Sequence, residues 1–411
     1  MRPLAEAQRD VLDAMRPLPS VRTPLDGARG LVLAEAVVAP HPVPPFDNSA
    51  VDGFAVRAGD TAGSPVALTV IEDVPAGSVP TRSVGAGQAT RIMTGAVIPA
   101  GADAVVMVED TDSTGDAVTV KASVDAGDHV RRAGGDLEEG ALVFDAGERL
   151  SPRHIGVLAS IGVARPLVSK RPVVAVLSTG DELAPPDAGE LRPGGIRDSN
   201  RPMLLGLLEE LGAEGLDLGI VPDDAGALRR AFDEASRSAD AVVTSGGVSM
   251  GEHDLVKKVL ADLGTVDFWR VAMQPAKPFA FGFLGDTPLF GLPGNPVSVV
   301  VAYEQFVRPA LLARMGAARL FRPRSWAVAA EALHTDPEKT VFVRVVAEAG
   351  PDAPIVRPAG GQASNVLSAL AAADAFAVVP VGVGEVGVGE RVEVEWFGSI
   401  ERRTRKEALD G

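Results

Sequence analysis

Residues 172–180, PVVAVLSTG, and residues 240–247, DAVVTSGG, are each a short run of β-branched residues that breaks into small polar residues and glycine. That is how a buried strand runs into a loop. GLDLGIVP (215–222) and PLFGLPGN (288–295) repeat the pattern. Helical stretches lie between and after them: SNRPMLLGLLEELG (199–212), AGALRRAFDEASRSA (225–239), EHDLVKKVLADLG (252–264) and PVSVVVAYEQFVRPALLARMG (296–316). The alternation across 171–316 predicts a doubly wound, mostly parallel α/β sheet. Ser199 or Asn200 suits the cap of the first helix and Asp223 or Asp224 that of the second, while Asn295 followed by Pro296 fits the N-cap and first helical position of the last.

The flanking segments read differently. Residues 48–133, with ALTVIED (67–73), DAVVMVED (103–110) and frequent Gly, Pro and Asp, predict a β-rich insert domain. Residues 134–170 contain SPRHIGVLASIG (151–162), a short helix by its Ser-Pro start and Gly stop, and are expected to pack with 22–47 as a small mixed linker domain. MRPLAEAQRDVLDAM (1–15) spaces Leu4, Ala7, Val11, Leu12 and Met15 as a helix does, so 1–21 are grouped with the α/β domain. WAVAAEAL, VFVRVVAEA, AFAVVPV and RVEVEWF within 322–397 predict a C-terminal β-barrel, and the tail ERRTRKEALDG is expected to fray. GVGEVGVGE (382–390) matches GxGxxG through Gly382, Gly384 and Gly387, but a strand rather than a helix follows, so it reads as a hairpin turn.

Composition excludes several functions. The chain has 411 residues, a net charge of −16 and no cysteine. The acidity disfavours nucleic acid and anionic membranes, and no apolar run reaches the roughly 18 residues a membrane helix needs. The amphipathic N-terminus is unlike a signal peptide, so a cytoplasmic location is expected. Without cysteine there are no disulfides, thiolate metal sites or thiol nucleophiles, so any sulfur in the chemistry belongs to a substrate. His41, His129, His154, His253 and His334 are scattered without ligand spacing.

In an open α/β sheet, ligands bind beyond the carboxyl ends of the strands. Four loops carry polar residues there: Ser178, Thr179, Gly180, Asp181 and Glu182; Asp223 and Asp224; Thr244, Ser245, Gly246, Gly247, Ser249, Glu252 and Asp254; and Pro293, Gly294, Asn295 and Ser298. TSGGVSMGEHD suits a phosphate cradle, since glycines let N–H groups approach an anion; an ordinary strand-to-helix turn has the same pattern. Ser298, in the first turn of the last helix, either shares an anion or makes a local cap. Glu182, Asp223 and Asp254 would repel one another without a cation, which points to magnesium, although Asp223 also suits an N-cap and Asp254 a first-turn acid. PAKPF (275–279) holds Lys277 between prolines, with Arg270 and Gln274 upstream. PPFDNSAVDGFAV (44–56) holds acid and amide groups in a proline-stiffened frame. Arg344 and Ser364, taken alone, read as sheet-surface residues.

Seven motifs in order, PPFDNSAVDGFAV, RIMTGAVIPAGADAVVMVED (91–110), RRAGGDLEEGALV (131–143), STGDEL (178–183), SGGVSMGEHD (245–254), PAKPF and GLPGNPVS (291–298), resemble the molybdopterin molybdenumtransferase family, which includes the C-terminal domain of gephyrin. The resemblance covers nearly the whole chain. It implies that adenylylated molybdopterin and molybdate give molybdenum cofactor and AMP, with magnesium, for which the acids Glu182, Asp223 and Asp254 are the expected ligands. It also implies functional roles for Asp52, Thr94, Asp136, Glu182, Asp223, Asp254, Pro293 and Pro296, and places Lys277, Ser298, Arg344 and Ser364 beside molybdate. An elongated homodimer is implied, in which Asp52, Thr94 and Asp136 complete a site on the other subunit, with an upstream adenylyltransferase and acceptor molybdoenzymes as partners. Gln274 departs from the pattern, since many relatives carry Lys there, and Arg270 is the compensating charge to examine. Two other functions use similar modules: a pterin adenylyltransferase or competence-damage-type nucleotide pyrophosphatase, and a gephyrin-like scaffold. Neither enzyme accounts for the 44–56 segment and the insert.

Overall fold

The structure, a computed structural model, describes residues 1–247 and 255–398. Its central sheet is built from β1 (Val173–Thr179), β2 (Glu214–Val221), β3 (Ala241–Ser245), β4 (Thr265–Arg270), β5 (Pro278–Leu284) and β6 (Thr287–Leu292), in the order β2-β1-β3-β6-β5-β4. β2, β1, β3 and β6 run parallel, and β5 is antiparallel to both of its neighbours. The four parallel strands are those read from the sequence. β4 and β5 are additional. Thr265-Val-Asp-Phe-Trp-Arg carries no apolar run because β4 is an edge strand, and β5 begins at Pro278, where a missing N–H costs no ladder bond.

Helices α1 (Asn200–Leu211), α2 (Ala225–Ser238) and α3 (Leu255–Leu263) connect the strands. Asp224, not Asp223, caps α2, accepting from the Ala227 N–H at 2.8 Å. Ser199 occupies the N-cap of α1 without a side-chain cap bond, and Asn200 is the first helical residue. Helix α4 (Pro296–Ala302) does not continue as one α-helix to Gly316: a π-helical turn at Tyr303–Val307 separates it from α5 (Arg308–Arg314). The wider turn lets three consecutive buried side chains serve three neighbours. Tyr303 donates to the Leu207 carbonyl at 2.8 Å, Glu304 takes Arg322 on both oxygens at 2.8 and 2.9 Å, and Gln305 donates to Glu395 at 2.7 Å.

The N-terminal helix Leu4–Asp13 packs on α5, and Arg2 N–H donates to the Arg270 carbonyl at 2.7 Å. Ser20–Arg22 pairs with Leu167–Ser169, and Val37–Val38 with Leu142–Phe144. Between these pairings the chain leaves for a six-stranded insert, ordered 104–107, 53–56, 88–92, 66–74, 117–120, 111–114. At its centre Gly53 is obligatory, because a Cβ there would lie 1.9 Å from the Val106 carbonyl oxygen.

Past α5 the chain forms β7 (Arg324–Ala329), β8 (Thr340–Glu348), β9 (Ile355–Pro358), β10 (Ala375–Val379) and β11 (Arg391–Trp396). These pair in the order β8-β9-β7-β11-β10, and β10 pairs back to β8, closing a five-stranded barrel around Val343, Val345, Val356, Ala377 and Val394. The strand missing from the sequence reading is β9, only four residues long and ending in proline. Residues 380–390, holding the discarded glycine motif, join the antiparallel pair β10 and β11, and Glu385–Val386 within them pairs with Leu333–His334.

Candidate functional site

The carboxyl ends of β1, β2, β3 and β6 share one edge because those strands are parallel. Ser178, at the end of β1, is buried and donates to Asp198 at 3.1 Å. Asp198 is itself buried and held by Arg201, whose guanidinium reaches it at 3.0 Å and also pairs with Asp217. Thr179 donates to Asp223 at 2.8 Å, and the Asp223 N–H donates to Asp181 at 3.2 Å, so the first two rim loops are joined through the predicted acids. Gly180 has φ 146°, and a Cβ there would lie 2.6 Å from the Glu182 carboxylate. Glu182 and Asp223 are exposed.

Gly246 and Gly247 follow β3 with φ 89° and 67°, left-handed values that glycine adopts without strain. Space forbids any other residue: a Cβ would lie 2.5 Å from the Thr179 carbonyl oxygen at Gly246 and 2.3 Å from Val256 at Gly247. The Gly246 N–H donates to the Leu292 carbonyl at 3.1 Å, tying this turn to the end of β6. Asn200 makes a second tie, donating to the Ser245 hydroxyl at 2.8 Å and to the Gly294 carbonyl at 2.7 Å. Ser249, Glu252 and Asp254 lie outside the described residues.

Pro293, Gly294 and Asn295 lead from β6 into α4, where Pro296 is the first residue and Ser298 is buried in the first turn. The barrel meets the α/β domain here, as the Val297 N–H donates to the Ser364 carbonyl at 3.2 Å. Arg344, on β8, is fully buried rather than on a sheet surface as read from the sequence. Its guanidinium donates to the carbonyls of Gly361 and Ala363, at 2.7 and 3.2 Å, and among the described residues its Nε has no partner and no carboxylate pairs with it. Burial pushes its pKa below the usual guanidinium value. Lys277 is exposed between β4 and β5, and its charge helps hold the Asp336 carboxyl below its ordinary value, after the larger hydrogen bonds from Lys339 and the Glu338 N–H. Gln274 is exposed opposite Val341 at the start of β8, and Arg270 is paired across the sheet with Pro278.

Asp52, Thr94 and Asp136 belong to the insert and its hinge. The Asp52 carboxylate accepts from the Thr94 N–H at 2.7 Å and the Thr94 hydroxyl at 2.8 Å, which holds its pKa below the ordinary carboxylate value. Asp136 is exposed, and its N–H donates to the Val43 carbonyl at 2.9 Å. Among the described residues no hydrogen bond or ion pair links these three to the rim. The 44–56 segment is clamped: Asn48–Ser49 pairs with Val130–Arg131, and Asp47 accepts from Arg132 and the Ala133 N–H at 2.6 and 2.8 Å. These bonds, with the Ala133 N–H first, hold Asp47 below its ordinary pKa.

Among the described residues no three His, Cys, Asp or Glu side chains form a metal-holding group, and no helix is long and apolar enough to cross a membrane. A cavity of about 940 Å³ lies at the opposite edge of the sheet, by Gly30, Arg149, Arg171 and Gly212. Arg149 and Arg171 spend their donors on the carbonyls that end α1, so this is a packing seam between domains. Asp198, Asn200 and Gln362 were not singled out as site residues by the sequence. Asp198 and Asn200 belong to one short run, RDSN (197–200), that reads as helix capping. Gln362, which brackets the Arg344 main chain at 3.0 and 3.1 Å, carries no sequence signal.

Residues 2–162 match the MoeA N-terminal region (domain I and II), 175–313 a probable molybdopterin binding domain, and 327–397 the MoeA C-terminal region (domain IV). The chain is 40% identical over 405 residues to molybdopterin molybdenumtransferase 2 of Mycobacterium tuberculosis, covering 96% of this chain and 99% of that protein. It is 38% identical to molybdopterin molybdenumtransferase of Haemophilus influenzae, with 92% and 93% covered. The crystal structure of a molybdopterin biosynthesis MoeA protein from Pyrococcus horikoshii OT3 superposes with a TM-score of 0.81 at 30% identity, covering 97% of this chain and all of that one (100%). On this full-length similarity, the chain belongs to the molybdopterin molybdenumtransferase family.

Proposed function

We propose that the protein inserts molybdenum into adenylylated molybdopterin and releases AMP. Family membership carries the coarser statement, that it is a transferase of molybdenum cofactor biosynthesis. The finer reading rests on one observation above others: Arg344 is a fully buried cation with no carboxylate partner among the described residues, holding the 361–363 loop beside the first turn of α4. A charge so placed is costly unless an anion answers it. Molybdate, received by Arg344, Ser298, Ser364 and Lys277, supplies that anion.

The adenylyl pterin lies along the rim, its phosphates on the Ser245–Gly246–Gly247 turn, where close backbone approach is possible. Magnesium would be held by the oxygen donors Glu182, Asp223 and Asp254; Asp223 accepts from Thr179 on one oxygen, and the other has no partner among the described residues. When bound, the ion neutralises phosphate charge. The chemistry balances without a further reactant: the dithiol displaces one molybdate oxygen, which leaves with both thiol protons as water, and hydrolysis of the phosphoanhydride consumes one water. Positioning and charge neutralisation by the protein account for the catalysis. Asp52, Thr94 and Asp136 act on the rim of a second subunit, which explains why they are separated from their own.

The test is to add molybdate to the purified complex with adenylylated molybdopterin and measure AMP. Molybdate-dependent release supports the proposal. Release that ignores molybdate, or formation of adenylyl product from pterin and ATP, overturns it in favour of the pyrophosphatase or adenylyltransferase reading.

A further inference from the structure

Asn200 is buried in the first turn of α1, between two rim loops that are distant in sequence. Its orientation is unambiguous, because the Gly294 carbonyl can only accept, so the amide nitrogen faces it and also donates to the Ser245 hydroxyl. Two consequences follow. The Ser245 oxygen already receives a hydrogen bond, so its own proton is directed elsewhere, and it has no acceptor among the described residues. The Asn200 Oδ1 is buried and also has no partner among the described residues. Buried polar groups are nearly always satisfied, and unsatisfied ones adjoining a binding turn are where a ligand or water completes the set.

We infer that Asn200 is a positioning residue for the adenylyl pterin: it locks the Ser245 hydroxyl so that its proton is donated to the phosphate on the Ser245–Gly246–Gly247 turn. This rests on the functional reading above and adds a residue to it. A hydroxyl that rotates freely pays for orientation on binding; one held by Asn200 is already aimed.

The experiment is calorimetric titration of the full chain with AMP, for the wild type, Ser245→Ala, Asn200→Ala and the double variant, each checked by thermal melting. Ser245→Ala is expected to weaken AMP about tenfold, the worth of one hydrogen bond to a charged group. Asn200→Ala should weaken it by a similar factor, and in the Ser245→Ala background by less than about twofold, because its effect passes through that hydroxyl. A full Asn200→Ala penalty that persists without the Ser245 hydroxyl would overturn the inference. So would unchanged AMP affinity in Ser245→Ala, a result that holds even if Asn200→Ala fails to fold. Failure of the wild type to bind AMP would overturn the functional reading and this inference with it.

Discussion

Replacing Arg344 by leucine separates a binding role from a packing one. The side chain is fully buried, its guanidinium donates to Gly361 and Ala363 at 2.7 and 3.2 Å, and its Nε has no partner among the described residues. Leucine removes two hydrogen bonds to loop carbonyls but also removes a desolvated charge, and these opposing terms leave stability nearly unchanged, with a melting shift of about 3 °C or less. Binding has no such compensation. Loss of a buried charged contact to an anion costs about 3 kcal/mol, which at about 1.4 kcal/mol per decade is roughly a hundredfold. Molybdate-dependent AMP release by Arg344→Leu is therefore expected to show a KM for molybdate about a hundredfold higher, with Arg344→Lys between the two because it keeps the charge and loses the planar fork. A folded Arg344→Leu protein with an unchanged KM for molybdate would refute the argument that this cation awaits an anion.

Three further outcomes follow from the geometry. Asp52 has a depressed pKa, so its bonds to Thr94 contribute stability above the ordinary carboxylate value, and that contribution is lost as pH falls through the folded value. Thr94→Val should raise the Asp52 midpoint toward the ordinary value in an NMR titration, and an unmoved midpoint would discount the Thr94 hydroxyl. Gly53→Ala forces the ladder with Val106 and Met107 apart, at a cost of about 3 kcal/mol, seen as faster hydrogen exchange across 53–56 and 104–107; native exchange rates would contradict it. Glu304→Leu strands the Arg322 and Arg308 guanidiniums beside a buried position and should cost about 3–5 kcal/mol in urea unfolding. An unchanged midpoint would mean that solvent or other groups already compensate them.

Periodicity alone carried much of this architecture. The apolar runs ending in STG, SGG and PGN mark parallel strands because a strand buried on both faces must be apolar throughout, and such runs survive in any register. PPFDNSAVDGFAV (44–56) was legible as a rigid element from its prolines and its short polar side chains. Edge strands and turns inside helices were not legible. β4 shows only a short apolar alternation, Val266 and Phe268, and the π-helical turn at Tyr303–Val307 lies inside a stretch that reads as one continuous helix. What VFVRV could not disclose was the fate of Arg344: Val343 and Val345 line the barrel, so Arg344 shares the outward face with Phe342, and it is buried only because that face packs toward the α/β domain and the 361–363 loop covers it.

The site divides in the same way. Residue types near a strand end are a local matter, so Ser178, Glu182, Ser245 and Ser298 could be named from the sequence. Which of them touch is not local. Asp223 joining Thr179 while Asp224 caps α2, Asn200 bridging Ser245 and Gly294, and Ser364 meeting Val297 all depend on how far the packed sheet and barrel bring together segments that the chain separates. Local chemistry determined the candidates, and tertiary packing decided their partners, because a hydrogen bond a few ångströms long depends on distance in space rather than along the chain.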